Sequence, residues 1–250
     1  MIRINHLYKS FNGHNVLEDI SVVFEPGKTN LIIGQSGSGK TVLLKSIVGL
    51  HDIDEGEIWY GDILFNELDF THKKEIRKEM GMLFQGSALF DSLTVEQNVR
   101  FPLDMFTNKI PEEKTDRVNF CLNRVNIKNA NKLFPAELSG GMRKRVAIAR
   151  AISLNPKYLF CDEPNSGLDP ITAILIDALI KELTVEYSMT TIVNTHDMNS
   201  VMEIGEKIIF ISDGVKCWEG NKNEILNSDC EKLNDFVFAN SLAKKLRTSK

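Results

Sequence analysis

The chain has 250 residues, 42% hydrophobic and 26% charged, which is ample for a buried core and does not match a disordered chain. Its formal net charge of −4 argues against a protein that coats nucleic acid, because that mode neutralises phosphates with clustered Lys and Arg. Cys121, Cys161, Cys217 and Cys230 lack C-x-x-C spacing, which indicates neither a disulfide framework nor a zinc site. In chain order, the N-terminus Met1-Ile2-Arg3-Ile4-Asn5 lacks a signal peptide's apolar stretch and no later run is apolar enough to span a bilayer, so a cytoplasmic chain is expected. Apolar segments at residues 2–4, 17–24 and 30–33 read as strands, and apolar positions 43, 44, 47 and 48 predict a helix over Thr41 to Leu50. Residues 112–128, 140–153, 170–187 and 222–227 have helical spacing or composition, while 158–161, 190–194 and 207–211 read as further strands. This alternation predicts an α/β sheet, interrupted at about residues 86–155 by a helical insert. The last ten residues hold Lys244, Lys245, Arg247 and Lys250 without an acid and read as a solvated basic tail, with a surface-binding role as the alternative.

Between the third strand and the first helix lies Gly34-Gln35-Ser36-Gly37-Ser38-Gly39-Lys40-Thr41, the composition of a loop that holds a polyphosphate. Glycines let successive N–H groups point inward at anionic oxygens, Lys40 adds positive charge, and Thr41 offers a hydroxyl to Mg²⁺. The positive end of the following helix faces the same anion. A second acidic element follows in Tyr158-Leu159-Phe160-Cys161-Asp162-Glu163. A buried strand that ends in two carboxylates places Asp162 where it can hold Mg²⁺ and aims Glu163 at an attacking water. Taken alone, Asp162-Glu163-Pro164 would equally end a strand in a turn. A third segment, Leu138-Ser139-Gly140-Gly141-Met142, opens a helix, so that a serine hydroxyl and glycine N–H groups sit at its positive end. One nucleotide does not need two such anion-binding surfaces from one chain. The adjoining Arg143-Lys144-Arg145 reads as the solvated face of that helix.

With these three segments the chain resembles, over nearly its whole length, the ATP-binding subunits of ATP-binding-cassette (ABC) transporters. The resemblance implies a P-loop NTPase of α/β class with a RecA-like core, a small antiparallel β region and an inserted helical subdomain. Residues 1–228 would form the ATPase domain and 229–250 a short extension. It also implies that two copies face each other head to tail, each ATP held between one copy's phosphate loop (Gly34 to Thr41, with Val42) and the other's Ser139, Gly140 and Gly141. Further roles follow from the resemblance: Phe11 stacks on adenine, Gln85 reaches Mg²⁺ and the attacking water, Ser166-Gly167-Leu168-Asp169 crosses the dimer interface, and His196 touches the γ-phosphate. Each has a weak signal by itself, since isolated glutamine, histidine or phenylalanine residues more often serve packing or surface hydrogen bonding.

Within the family, Met82 through Val95, Met142 and Asp169-Pro170-Ile171-Thr172 are similar to the cassettes of Mla and Mce-associated lipid transporters. That branch implies phospholipid movement between inner and outer membranes, membrane permease subunits, a small regulatory subunit and a periplasmic lipid-binding component, with the ATPase on the inner face of the cytoplasmic membrane. Leu89, Phe90 and Phe101 either contact a permease helix or pack the helical insert. Alternatives are a cassette that serves a non-lipid solute and a soluble ABC ATPase of DNA repair. The second usually places a long coiled coil between its nucleotide motifs, which this chain lacks.

Overall fold

The computed structural model describes residues 1–238. The basic tail expected at 241–250 lies outside the described residues. The N-terminal part is an antiparallel sheet of β1 (Ile2–Phe11), β2 (His14–Phe24), β4 (Glu55–Tyr60) and β5 (Ile63–Leu64), in the order β2-β1-β4-β5. The second sheet contains β3 (Thr29–Ile33), β6 (Met80–Leu83), β7 (Tyr158–Asp162), β8 (Thr190–Thr195), β9 (Lys207–Ser212) and β10 (Val215–Gly220), in the order β10-β9-β3-β8-β7-β6. All its pairings are parallel except β9 with β10.

The alternation of side chains along a strand explains why this second sheet forms two cores. Ile32, Phe160, Ile192 and Ile209 point to one face, where they pack with Ile4, Leu7 and Phe24 of the antiparallel sheet and with Leu43, Leu44 and Ile47 of α1 (Lys40–Ile47). Leu31, Ile33, Leu159, Cys161, Val193 and Ile208 point to the other, against the remaining helices. Both faces are covered, so these strands read as continuous apolar runs.

Between β6 and β7 the chain forms α3 (Val95–Phe106), α4 (Pro111–Arg124) and α5 (Gly140–Ala151), preceded by α2 (Phe70–Lys78) before β6. α6 (Pro170–Glu186) and α7 (Met198–Ile204) flank β8. The helix predicted over 112–128 stops at Arg124, where Asn126 takes a left-handed φ of 56°. The helix predicted over 222–227 is only a single 3-10 turn at Ile225–Asn227. Too short for one amphipathic period, that segment has no lasting helical face. Beyond it α8 (Glu231–Val237) packs Leu233 and Val237 into the larger core.

Two buried polar residues, Asn98 and Asp177, lie on these helices. Asn98 on α3 accepts from the Phe90 N–H at 2.8 Å and donates to the carbonyls of Phe90, Leu93 and Thr94 at 3.1, 3.0 and 3.0 Å. It therefore satisfies the backbone of the turn that carries Phe90 and enters α3 through the Thr94–Gln97 capping box. Asp177 on α6 is 2% exposed, and burial pushes its carboxyl up to about 6, opposed by the neighbouring Ser200 and Asn165 side chains and reinforced by the charges of Asp197 and Glu203.

Asn98→Ala removes the side-chain partner of the Phe90 N–H and the Leu93 carbonyl, while the Phe90 and Thr94 carbonyls keep a backbone donor, and should cost about 2–4 kcal/mol of stability in chemical denaturation; a loss under about 0.5 kcal/mol would refute the brace. The unfolded chain releases the Asp177 proton near pH 4, whereas the fold retains it to about 6. This contribution to stability is therefore full below about pH 4 and is lost as pH rises through about 6. The thermal midpoint of Asp177→Asn, relative to the parent, should rise between about pH 4 and 7 and then level off. A difference that stays constant over that range would sink the assignment.

Candidate functional site

The phosphate loop leaves the carboxyl end of β3, a central strand whose carboxyl edge is a natural ligand crevice in parallel sheets. Gly34 has a φ of 153°, and a Cβ there would lie 2.2 Å from the Ile211 carbonyl oxygen and 2.8 Å from Ser38 Oγ, so the loop can pass that close to β9 only without a side chain. α1 starts after Gly39 with no side-chain cap, which leaves its first N–H groups directed at the loop. Gln35, Ser36 and Gly37 are exposed, Ser38 and Lys40 are buried, and Val42 is partly buried against the smaller core. Among the described residues the buried Ser38 hydroxyl has no partner, as expected of a group that awaits an anionic oxygen.

The Lys40 ammonium donates to the carbonyls of Gly34 and Gln35 at 2.9 and 2.8 Å. Burial lowers its pKa, and the nearby Glu163 and Asp162 charges pull it back up. Asp162 ends β7, where it pairs with Asn194 of β8. Its Oδ1 accepts from the Thr41 hydroxyl at 3.2 Å and from Asn194 Nδ2 at 3.1 Å. Sequence reasoning missed Asn194; its place at the end of the strand read over 190–194, directly after Ile192-Val193, was the available signal.

Glu163 follows with a left-handed φ of 50°, and its N–H donates to the Asn194 carbonyl at 3.0 Å. This turn lifts its side chain off the strand end toward His196, which β8 delivers one residue after Thr195. His196 Nδ1 lies 2.8 and 2.7 Å from the two Glu163 carboxylate oxygens. A nitrogen that faces two acceptors carries the proton, which leaves Nε2 as the free end of the ring. Gln85, exposed just after β6, lines the same cavity of about 850 Å³ with Gln35, Ser36, Glu163 and His196. Phe236 and Val237 at the end of α8 complete the wall. The Thr41 hydroxyl, the Asp162 carboxylate and the Gln85 amide are hard oxygen donors with a single carboxylate among them, a set suited to Mg²⁺ shared with a phosphate. Among the described residues no three His, Cys, Asp or Glu side chains form an all-protein metal cage.

Ser166 and Gly167 also line this cavity, whereas Phe11, Ser139, Gly140 and Gly141 lie apart from it. Phe11, at the end of β1, is 39% exposed, with the Lys9 ammonium 5.0 Å from its ring and the His51 ring 5.3 Å away. Ser139 caps α5 by accepting from the Met142 N–H at 3.2 Å. Gly140 and Gly141 approach Leu168 and Thr172 closely, and a Cβ on Gly141 would lie 2.7 Å from Thr172 Cγ2. Ser139, Gly140 and Gly141 open on a second cavity of about 660 Å³ that shares only Gly167 with the first. Phe90 and Phe101 form an exposed pair with rings 4.8 Å apart, whereas Leu89 packs on the larger core.

One expectation is corrected here. Arg143-Lys144-Arg145 is not uniformly a solvated face, because Lys144 is 4% exposed. It lies on the face of α5 shared by Ala147, Ile148 and Ala151, all buried, a spacing of three, four and seven that the sequence already displayed.

Comparisons place this geometry among known proteins. The ABC transporter family profile matches residues 17–166. The methionine import ATP-binding protein MetN of Clostridium tetani is 40% identical over 216 residues, 86% of this chain and 67% of the relative. The probable ribonucleotide transport ATP-binding protein mkl of Mycobacterium bovis is 34% identical over 236 residues, 94% of this chain and 66% of the relative. Among solved structures, the dimeric bacterial ABC transporter cassette MJ0796 superposes with a TM-score of 0.82 at 33% identity, covering 89% of this chain and 99% of that one. The same cassette is also known as a dimer in a post-hydrolysis state with ADP and Pi. With its phosphate loop, its Asp162–Glu163 strand end and this shared architecture, the chain belongs to the ABC transporter family as an ATP-binding, ATP-hydrolysing cassette.

Proposed function

We propose that this chain works as a Mg²⁺-dependent ATPase in a head-to-tail pair, and that the pair drives a membrane permease whose cargo is a phospholipid. The observation that carries the engine is the separation of its two anion-binding surfaces. Gln35 and Ser36 of the phosphate loop line one cavity with Glu163 and His196, beside the Lys40 bond to the Gln35 carbonyl and the Thr41–Asp162 pair, while Ser139, Gly140 and Gly141 open on another. A second copy turned head to tail unites them around one triphosphate. MJ0796, known as a dimer, supports that arrangement.

In this reading Lys40, Ser38 and the α1 N-terminus bind the β- and γ-phosphates, and Phe11 stacks on adenine. Thr41, Asp162 and Gln85 would hold Mg²⁺, which offsets charge on the transferring phosphoryl group when bound. Glu163 orients the attacking water and accepts its proton. His196, held by Glu163 through Nδ1, presents Nε2 to the γ-phosphate. Loss of phosphate then weakens the contacts from the partner's Ser139 and Gly141, and the copies part. Residues 1–228 act as the ATPase unit, with about 86–155 as its helical subdomain. Phe90 and Phe101 are its contact for a permease helix, since no described helix is long and apolar enough to cross a membrane. The chain then sits on the inner face of the cytoplasmic membrane. A small regulatory subunit and a periplasmic lipid-binding component complete the complex.

The lipid cargo rests on the resemblance of Met82–Val95 and Met142 to Mla and Mce-associated cassettes. A second reading, a non-lipid solute, is favoured by the relatives named for methionine import and ribonucleotide transport.

Glu163→Gln should bind ATP, run as a dimer on size exclusion with ATP present, and lose about 10²–10⁴-fold in turnover. Lys40→Ala should fail to bind ATP at all. Turnover by Glu163→Gln equal to the parent's would remove that carboxylate from its role. Mass spectrometry of the purified permease complex should find bound phospholipid; a complex stimulated by a non-lipid solute alone would discard the cargo and leave the engine intact.

A further inference from the structure

The Lys144 ammonium is a buried cation that the hydrolytic roles above leave unused. Its Nζ donates a hydrogen bond to the Gln85 carbonyl and lies 3.5 Å from the Glu163 carbonyl. Among the described residues it makes no ion pair. Burial lowers its pKa, while the Cys161, Asp162 and Glu163 side chains act in the opposite sense. A lysine that has lost water and gained no carboxylate is costly unless backbone acceptors hold it. The two acceptors belong to the residues proposed to flank the attacking water, and they come from separate strand ends, β6 and β7.

Six residues further along α5, Arg150 donates to the carbonyls of Ser87 and Ala88 at 2.9 and 2.7 Å. Those two residues have left-handed φ values of 66° and 47°, conformations that persist only where neighbours hold them. α5 thus grips the Gln85–Ala88 turn at three carbonyls. Lys144 alone also reaches the Glu163 backbone.

We propose that Lys144 is a positioning residue of ATP hydrolysis: from α5 it ties the main chain of Gln85 to that of Glu163, and so sets the spacing of the two side chains that bracket the attacking water. This rests on the hydrolytic roles proposed above for Gln85 and Glu163. The α5 helix opens at Ser139, so the same tether joins the surface offered to a partner's nucleotide with the chain's own hydrolytic pair. The Lys144 side chain touches neither nucleotide nor water in this role. Lys40 differs, since its ammonium sits inside the phosphate loop.

The test measures kcat, KM and ATP affinity on the full chain for Lys144→Met, Lys144→Gln and Lys144→Arg beside Glu163→Gln. Lys144→Met keeps the apolar stem and removes the donor. Its kcat should fall about 10–100-fold, as expected for a misplaced reacting geometry, with KM and ATP affinity held within about 2-fold. Lys144→Arg keeps donors for both carbonyls and should recover most of the lost kcat. If Lys144→Met does not fold, Lys144→Gln, which keeps a shorter uncharged donor, takes its place with the same split expected. Unchanged kcat in Lys144→Met, or loss of ATP affinity in step with kcat and no rescue by arginine, overturns the tether. An active Glu163→Gln instead overturns the underlying hydrolytic reading, so the two failures are distinguishable.

Discussion

The parallel pairing of β3, β8 and β7 is the constraint on which the rest of this structure depends. Its register sets Ile33 opposite Thr195 and Asp162 opposite Asn194, so three chain segments distant in sequence end at one level. From that edge the phosphate loop, the Asp162–Glu163 pair and His196 emerge within hydrogen-bonding reach of one another. A slip of one residue in any strand would turn its side chains to the opposite core and carry its terminal acid or histidine off the site. Apolar burial on both faces of the sheet thus fixes the geometry of the candidate site.

Hydrogen bonds between polar groups do the local alignment. Asp162 is held by Thr41 and Asn194, Glu163 by its own left-handed turn and by His196, and Lys40 by two carbonyls of the loop it serves. Two buried ammonium groups, Lys40 on α1 and Lys144 on α5, approach the two carboxylates from different helices. In a region largely removed from water this arrangement balances charge without drawing either acid into a closed ion pair with lysine.

The helices between β6 and β7 contribute in a different manner. α5 presents Ser139 and two glycines at one end and grips the Gln85–Ala88 turn with Lys144 and Arg150 farther along. The turn that follows carries the exposed Phe90, whose ring meets Phe101 of α3, and is braced by Asn98. A helix of 12 residues therefore spans from the cavity at Ser139 to the wall of the other cavity at Gln85.

The sequence by itself determined the phosphate loop, the strand that ends in Asp162 and Glu163, the helix opened by Ser139 and the alternation of strands with helices. Each is a local pattern whose chemistry depends on residue type and short spacing. Short or mixed elements were illegible: β5 is two residues long, β10 carries Lys216 and Glu219 among its apolar positions, and α2 has no buried residue to mark a face. Only the tertiary structure decided that Asn194 reaches Asp162, that His196 seats on Glu163, that Lys144 reaches the Gln85 carbonyl, and that α8 walls the cavity beside the phosphate loop. Those relations join residues far apart in the chain, and strand register and helix packing, which set them, arise from the summed burial of many side chains rather than from any one motif.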